Sequence, residues 1–207
     1  MATHDTYLTI RTSSEGLYKE RGSKFFALAR PVSNGENVKS ILQELKKKYY
    51  DANHHCYAYV LGPKGDQYRA SDDGEPGHSG GDPILGQIRT RNLTNTLVVV
   101  VRYFGGTKLG IPGLIHAYKS AASNALDNNH IFKKEITELI NIQFDYQFIN
   151  TVMRLVKALS LNIENQEMAE DCRITLRVRL GIADELKNLL GQMKGVKMIK
   201  GAKIRNV

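Results

Sequence analysis

The stretch Leu97-Val-Val-Val-Val-Arg102-Tyr-Phe-Gly-Gly-Thr-Lys-Leu-Gly110-Ile-Pro112 decides how the rest of the sequence is interpreted. Its first five residues are aliphatic and mostly β-branched, which is typical of a strand covered on both faces. The glycines end that strand, and Pro112 opens a helix that continues to about Asn128. The stretch therefore predicts a central strand, a glycine loop and a long helix in immediate succession.

On the N-terminal side of this stretch, the pattern predicts further strands and one helix. Residues 6–11 and 24–32 read as strands, and apolar residues at three- and four-residue spacing predict a helix over 38–49. Residues 54–61 are rich in β-formers and are expected to form another strand. A polar loop over 71–82 follows, because its glycines and prolines disfavour regular structure, and a short helix is expected over 84–90.

On the C-terminal side, the element order restarts at Lys133. The pattern predicts a strand over 136–145, a helix over 148–159, strands over 161–169 and 172–180, a helix over 183–193 and a strand over 196–204. This order, βαββαβ in about 75 residues, suits a ferredoxin-like sandwich. We therefore expect an α+β protein of two domains, 1–132 and 133–207, divided after the helix that ends at Asn128-Asn129.

Composition narrows the class of protein. The chain has 207 residues, of which 42% are hydrophobic and 24% charged, and this excludes a fibrous or wholly disordered protein. The longest aliphatic run is five residues, far below the roughly 20 that a membrane span needs, so a cytoplasmic protein without membrane association is expected. The formal net charge of +8 favours an acidic partner such as RNA, the ribosome or an anionic protein surface.

The polar loop over 71–82 concentrates carboxylates, serines and a histidine, as functional loops often do. Gly77-His-Ser-Gly-Gly81 satisfies the G-x-S-x-G pattern, but the strand that should lead into a nucleophile elbow is missing. Carboxylates at Asp72, Asp73 and Glu75 have the chemistry of a divalent-metal site, yet near neighbours along a chain seldom converge on one ion. Cys56 and Cys172 are too far apart for a metal or redox motif and are expected to be buried thiols. Neither a metal nor a cofactor is expected.

The glycine loop, Gly105 to Gly110, allows two interpretations. Glycines before a helix let backbone N–H groups approach a phosphate, with Arg102 and Lys108 supplying charge. Alternatively, the glycines only permit a tight turn under the helix. The loop is neither a P-loop nor a Rossmann fingerprint, because Lys108 precedes the last glycine and the spacing differs, so nucleotide hydrolysis is not expected.

A second group of basic residues lies in the C-terminal part. Arg173, Arg177 and Arg179 alternate along one predicted strand and are therefore expected on one face. Lys200 and Lys203 belong to the terminal strand and could extend the same basic face. The alternative is that edge-strand cations only prevent aggregation.

Four segments of the sequence resemble the IMPACT/YigZ family. They are Arg21-Gly-Ser-Lys-Phe25, His54-His-Cys-Tyr-Ala58, Ser71-Asp-Asp-Gly-Glu-Pro76 and Val101-Arg-Tyr-Phe-Gly-Gly-Thr-Lys-Leu-Gly-Ile-Pro-Gly-Leu114, in family order across residues 18–130. The tail from 133 is similar to the small C-terminal domain of bacterial members.

This resemblance carries expectations about fold and role. It implies an N-terminal domain with the fold of the second domain of small-subunit ribosomal protein five, followed by a ferredoxin-like domain, a pair that resembles domains IV and V of elongation factor G. Eukaryotic members act without catalysis, by competing for the activator of a kinase that phosphorylates an initiation factor. Only fold and motif positions transfer securely along such a resemblance.

Two functional hypotheses follow. The first is a non-enzymatic, translation-associated regulatory protein that binds RNA, the ribosome or a translation-factor partner. Its binding residues would be Lys19, Arg21, Lys24, His54, Ser71, Asp72, Asp73, Glu75, Arg102, Tyr103, Gly105, Gly106, Lys108 and Gly110, with the second-domain basic face adding salt-sensitive affinity. The rival is an enzyme acting on a small phosphorylated or nucleotide-like substrate in a polar pocket around the glycine loop. No catalytic residue is assigned, and the oligomeric state is left open.

Overall fold

A computed structural model describes residues 5–199 of the chain. The strands are β1 Thr6–Ile10, β2 Ser14–Glu20, β3 Ser23–Pro31, β4 His54–Leu61, β5 Gln67–Ser71, β6 Thr96–Tyr103, β7 Ile131–Glu135, β8 Thr137–Asp145, β9 Asn162–Glu167, β10 Asp171–Arg179 and β11 Val196–Ile199. The helices are α1 Gly35–Lys48, α2 Gly81–Thr90, α3 Gly110–Asp127, α4 Ile149–Ala158 and α5 Leu180–Gln192. A 3-10 turn, Tyr146–Phe148, precedes α4. The fold class is α+β.

The described residues divide into two compact units. Residues 7–134 form the N-terminal unit, and residues 135–199 together with 5–6 form the C-terminal unit. The division expected from the sequence lies two residues before this one. The segment at 5–6 groups with the second unit.

The N-terminal unit is built around a five-stranded antiparallel sheet in the order β2-β3-β6-β4-β5. Strand β6 is central, and Leu97 to Val101 are fully buried. Helix α1 packs on one face with Val38 and Leu45, and α2 and α3 cover the other. The prediction of a strand covered on both faces is confirmed. Strands β1 and β7 form a separate two-stranded sheet.

Helix α3 approaches strand β2 closely because four of its seven buried residues are alanines. Ala117, Ala121, Ala122 and Ala125 are fully buried. A Cβ added at Gly16 of β2 would lie only 2.4 Å from the backbone nitrogen of Ala125. The close packing of α3 on β2 therefore requires a glycine on the strand as well as alanines on the helix.

The C-terminal unit contains a four-stranded antiparallel sheet in the order β11-β8-β10-β9. Alternate residues of β8 and β10, among them Ile142, Phe144 and Ile174, form one core with Val152 of α4 and Leu186 of α5. The observed element order is βαββαβ. The part of the last strand that was expected beyond residue 199 lies outside the described residues.

Three strands were not predicted, and one loop is shorter than expected. Strands β2, β5 and β7 have few buried apolar residues, so they lack a hydrophobic pattern. The polar loop ends at Gly80 because α2 already begins at Gly81, with Asp82 and Pro83 in its first turn, where a proline costs no hydrogen bond.

Candidate functional site

The sheet of the N-terminal unit brings all four sequence motifs to one of its ends. Across β6, Arg102 lies opposite Phe25 of β3 and His54 of β4, and Tyr103 lies opposite Lys24. The β2–β3 turn, the start of β4, the loop after β5 and the glycine loop after β6 therefore share this sheet end. The two faces of this sheet end differ in their chemistry.

The Asp72 carboxylate serves as a cap for helix α2. Its Oδ1 accepts from the backbone N–H groups of Gly80 at 2.9 Å and Gly81 at 2.8 Å, and its Oδ2 accepts from the N–H of His78 at 2.9 Å. Burial alone would raise the pKa of Asp72, but these three N–H donors outweigh it and the pKa is lowered. The group is an ionised structural acceptor at a helix N-terminus.

Asp73 fastens the same loop to strand β4. Its Oδ2 accepts from the backbone N–H of His55 at 2.7 Å, and its Oδ1 accepts from Nζ of Lys46 at 3.2 Å. The Asp73 carbonyl lies 2.9 Å from Nδ1 of His54. Desolvation lowers the pKa of the buried His55, so burial favours its neutral form despite the nearby carboxylate.

Glu75 is the centre of a buried polar cluster, the Glu75 cluster, formed with Arg102 and Tyr118. Its Oε1 accepts from Nη1 of Arg102 at 2.6 Å and from the Tyr118 hydroxyl at 2.7 Å. The side chains of Glu75 and Arg102 are only 3% and 7% exposed. The Arg102 guanidinium also lies over the ring of Phe25, 5.4 Å from its centroid, and Nε2 of His54 is 4.0 Å from the glutamate. Two predicted site residues are thus paired with each other inside the fold.

The nucleophile candidates near this cluster are inaccessible. Ser79 is fully buried and its hydroxyl donates to the carbonyl of Pro76 at 2.6 Å. Cys56 is buried, donates to the carbonyl of Asp72 at 3.0 Å, and has a pKa raised by burial to about 12. Burial raises the pKa of Tyr118 as well, followed by its contacts with Cys56 and Glu75. Both cysteines are buried and unbridged, as the sequence predicted.

The first residue of the glycine loop, Gly105, must be a glycine because the backbone of the β2–β3 turn passes very close to it. A Cβ on Gly105 would lie 1.9 Å from the carbonyl carbon of Gly22 and 2.2 Å from the nitrogen of Ser23. The N–H of Gly105 donates to Oγ of Ser23 at 3.1 Å, and the N–H of Phe104 donates to Oδ1 of Asn53 at 2.8 Å. These two N–H groups are therefore used internally and not offered to an anion. Gly106 and Gly110 have φ values of 86° and 70°, which glycine adopts without strain.

Cations remain exposed at the same sheet end. Lys19, Lys24 and Lys108 are exposed, and within residues 5–199 none of the three forms a salt bridge. Arg21 is exposed too, with the Glu20 carboxylate 3.9 Å away. Lys19 lies directly opposite Lys24 in the β2–β3 pairing, so two like charges share one face. We call Lys19, Arg21, Lys24 and Lys108 the exposed cations.

An aromatic groove lies beside these cations on the α1 face of the sheet. Its volume is about 470 Å³, and its walls are formed by Gly22, Lys24, Phe26, Tyr49, Asp51, Tyr103 and Phe104. The Tyr103 hydroxyl donates to Oδ1 of Asp51 at 2.9 Å. Burial and then this contact raise the pKa of Tyr103, which keeps the phenol protonated as a donor. Phe104 is 47% exposed.

The basic face of the C-terminal unit is partly neutralised. Arg173, Arg177 and Arg179 share a face of β10, but Arg177 makes a bidentate pair with Glu164 at 2.8 and 2.9 Å. Arg179 binds Asp5 at 2.5 Å and Glu135 at 3.2 Å. Lys200 and Lys203 lie outside the described residues. A role for this face in binding stays a prediction.

In residues 5–199, no three His, Cys, Asp or Glu side chains are grouped so that they could hold a metal ion. None of the helices in that range combines the length and apolarity that a membrane crossing needs.

Sequence reasoning missed the residues that complete both faces of this sheet end. Tyr118, which completes the Glu75 cluster, and Phe26, Tyr49, Asp51 and Phe104, which line the groove, are absent from the residues that the sequence predicts for binding. Tyr49 and Asp51 follow α1 and meet Tyr103 only through the fold. The one available signal was the aromatic pair Tyr103-Phe104 ahead of the glycines.

Comparisons with known proteins agree with the motifs. Residues 21–126 match the family described as the Impact N-terminal domain. An IMPACT family member in the pol 5′ region of Thermus thermophilus is 37% identical over 161 residues, which is 77% of this chain and 86% of that protein. IMPACT family member YvyE of Bacillus subtilis is 33% identical over 147 residues, 71% of this chain and 68% of that protein.

A solved structure, described as the crystal structure of an hypothetical protein, shares the fold. It aligns with a TM-score of 0.72 at 24% sequence identity, covering 97% of this chain and 99% of that chain. The likeness concerns the fold and extends over both units.

Proposed function

The chain belongs to the IMPACT family, and from this membership we propose that it is a non-enzymatic, translation-associated regulatory protein of the cytoplasm. It would bind RNA or the ribosome through the exposed cations at the end of the N-terminal sheet. The translation assignment comes from the family resemblance. The assignment of the surface comes from the distribution of charge.

The observation that carries the proposal is a separation of charges at one sheet end. The loop carboxylates of Asp72, Asp73 and Glu75 are all engaged by donors within the protein. Lys19, Lys24 and Lys108 form no salt bridge within the described residues. The three lysines are therefore left without a paired carboxylate although the sequence there is rich in acids, and exposed, unpaired cations attract phosphate.

Binding is favoured over the rival enzymatic function by the state of the acid–base groups. Glu75 and Arg102 are buried against each other, and Ser79 and Cys56 are inaccessible. A general base must reach the proton it abstracts, and a nucleophile must reach its substrate. Lys108 is exposed and forms no salt bridge with any of these groups.

The fold-level part of the proposal concerns both units. We infer that the C-terminal unit is ferredoxin-like, because its strands follow the order 4-1-3-2 of a split βαβ unit with every pair antiparallel. The likeness of the N-terminal unit to the second domain of small-subunit ribosomal protein five, and of the pair to elongation factor G, is carried from the family resemblance. It supports a translation partner by analogy.

The test is co-sedimentation of the full chain with ribosomes and with total RNA across a salt series. Lys108→Glu should weaken association several-fold at low salt and reduce the slope of log affinity against log salt by about 1, because one phosphate contact is lost. Lys64→Glu makes the same charge change in the turn after β4, at the opposite end of the sheet, and should have a much smaller effect.

Two results would contradict the proposal. One is a lack of association even at low salt. The other is an equal effect of the Lys108 and Lys64 substitutions, since only net charge would then matter.

A further inference from the structure

The aromatic groove is not explained by electrostatic attraction to phosphates. Lysines on a surface suffice for salt-dependent binding, but this groove places four aromatic side chains, Phe26, Tyr49, Tyr103 and Phe104, next to Lys24. Its volume, about 470 Å³, falls within the usual range of small-ligand pockets, roughly 300–1,000 Å³. An additional binding chemistry is therefore present beside the exposed cations.

The walls of the groove are held in place before any ligand arrives. The rings of Phe26 and Tyr103 meet edge to face with centroids 6.0 Å apart, and Asp51 holds the Tyr103 hydroxyl. Phe104 lies against the Arg102 guanidinium, 5.6 Å from its ring centroid, and Arg102 is itself fixed by Glu75. Preorganised aromatic walls reduce the entropic cost of binding a flat group.

The groove has lysines at its edge and a single carboxylate, that of Asp51, among its lining residues. Lys24 lines it and Lys19 lies directly opposite Lys24 on the next strand, while Asp51 lies among the groove residues and accepts from Tyr103. Lys48 lies over the Tyr49 ring, 5.1 Å from its centroid. A ligand with a flat ring and a phosphate fits this arrangement, with the ring on the aromatic walls and the phosphate on Lys19 and Lys24.

We propose that the aromatic groove binds an unpaired nucleotide of a single-stranded RNA segment, with the base stacked on Phe104 and Tyr103 and its phosphate held by Lys19 and Lys24. This inference rests on the proposed function and specifies it: the protein recognises single-stranded RNA and not duplex RNA. A duplex keeps its bases stacked inside the helix, so it offers the lysines phosphates but offers the aromatic walls no base face.

The experiment measures binding of a labelled 12-nucleotide oligouridylate and of a 12-base-pair RNA duplex to the full chain by fluorescence anisotropy. The single strand should bind at least about tenfold more tightly than the duplex at equal salt. Phe104→Leu keeps the apolar bulk and removes the ring, so it should weaken single-strand binding about tenfold without changing the salt slope. Phe104→Tyr should retain binding.

Tyr68→Leu is the matched control variant. Tyr68 is another exposed aromatic residue of the N-terminal unit with an arginine over its ring, since Arg89 lies 4.0 Å from the centroid, but it does not line the groove. Its replacement should leave RNA binding unchanged. An oligouridylate carrying 5-iodouridine should, on irradiation, crosslink to residue 103 or 104, as located by mass spectrometry.

The outcomes separate this inference from the proposed function. Equal binding of single strand and duplex, or wild-type affinity in Phe104→Leu, overturns the groove assignment, while loss of ribosome association in Lys108→Glu would still uphold the proposed function. Displacement of the oligouridylate by oligo-glutamate of equal charge at the same concentration also overturns it, because the occupant would then be an acidic protein segment. Absence of association with both RNA and ribosomes overturns both.

Discussion

The two faces of the N-terminal sheet end use charge in opposite ways. On the face covered by α2 and α3, Glu75 and Arg102 are buried and hold each other at 2.6 Å. On the α1 face, Lys19 and Lys24 lie opposite each other, exposed and outside any salt bridge of the described residues. A polar sequence motif can therefore serve the architecture of the fold, whereas the charges available to a partner are those that the fold leaves without a counter-charge.

The largest effect is expected from removing one partner of the buried ion pair. Glu75→Ala leaves the Arg102 guanidinium buried without its carboxylate and removes the acceptor of the Tyr118 hydroxyl. Loss of one member of a buried pair costs about 3–5 kcal/mol, so a large drop in unfolding free energy is expected. Urea unfolding followed by far-UV circular dichroism measures it, since the chain has no tryptophan.

The double variant Glu75→Leu with Arg102→Met is the control for that prediction. It removes both charges and keeps apolar bulk, so it should recover much of the stability that Glu75→Ala loses. A Glu75→Ala protein as stable as wild type would show that the pair is not a structural element of this face.

The next largest effect is expected where the backbone of the glycine loop passes close to the β2–β3 turn. Gly105→Ala places a methyl group against the backbone of Gly22 and Ser23, and backbone cannot yield as a flexible side chain can. A loss of about 1–3 kcal/mol is expected in the same unfolding measurement. Gly35→Ala is the matched control, because nothing lies within 4 Å of the added Cβ there. If the two variants were equally stable, the close backbone approach would not be the reason that a glycine occupies position 105.

Most of the fold was predictable because the buried positions of helices and strands are occupied by apolar residues, which form recognisable patterns in the sequence. The run Leu97 to Val101 identified the central strand, and 54–61 matched the bounds of β4. Strands β2 and β5 were missed because both are at sheet edges, where stability comes from backbone pairing and few side chains are buried. Edge strands leave little hydrophobic signal for sequence reasoning to find.

The site was predictable as a set of residues but not as a set of roles. The motifs identified Asp72, Glu75, Arg102 and Lys108 together as ligand-binding residues. Only the register, which places Arg102 opposite His54, and the folding of the loop onto β4 show that Glu75 neutralises Arg102. Sequence order carries no information on which of two charges 27 positions apart will be paired.

A smaller effect, of defined pH dependence, tests the capping role of Asp72. Its pKa lies below the ordinary value of 3.8, so the ionised carboxylate stabilises the fold above that pH, and this contribution is lost as pH falls through the lowered pKa. Asp72→Asn should cost about 0.5–1 kcal/mol at pH 7, and its difference from wild type should shrink below about pH 4. Asp66→Asn, an exposed change in the β4–β5 turn, is the control. A difference independent of pH would contradict the electrostatic cap.

The smallest effect is expected at Lys19, where one substitution should raise the stability of the fold and weaken RNA binding. Lys19→Gln removes one of two like charges that lie directly opposite on β2 and β3. Relief of that repulsion should stabilise the fold by a few tenths of a kcal/mol at low salt, an increment that disappears as salt screens the pair. The same substitution should weaken RNA binding and reduce the salt slope by about 0.7–0.9, as loss of one phosphate contact requires. A fold that tolerates this repulsion in its free state is relieved of it when an anion binds between the lysines. Lys39→Gln, an exposed change on α1, should alter neither quantity. If Lys19→Gln left both stability and the salt slope of RNA binding unchanged, the α1 face would be an ordinary solvated surface.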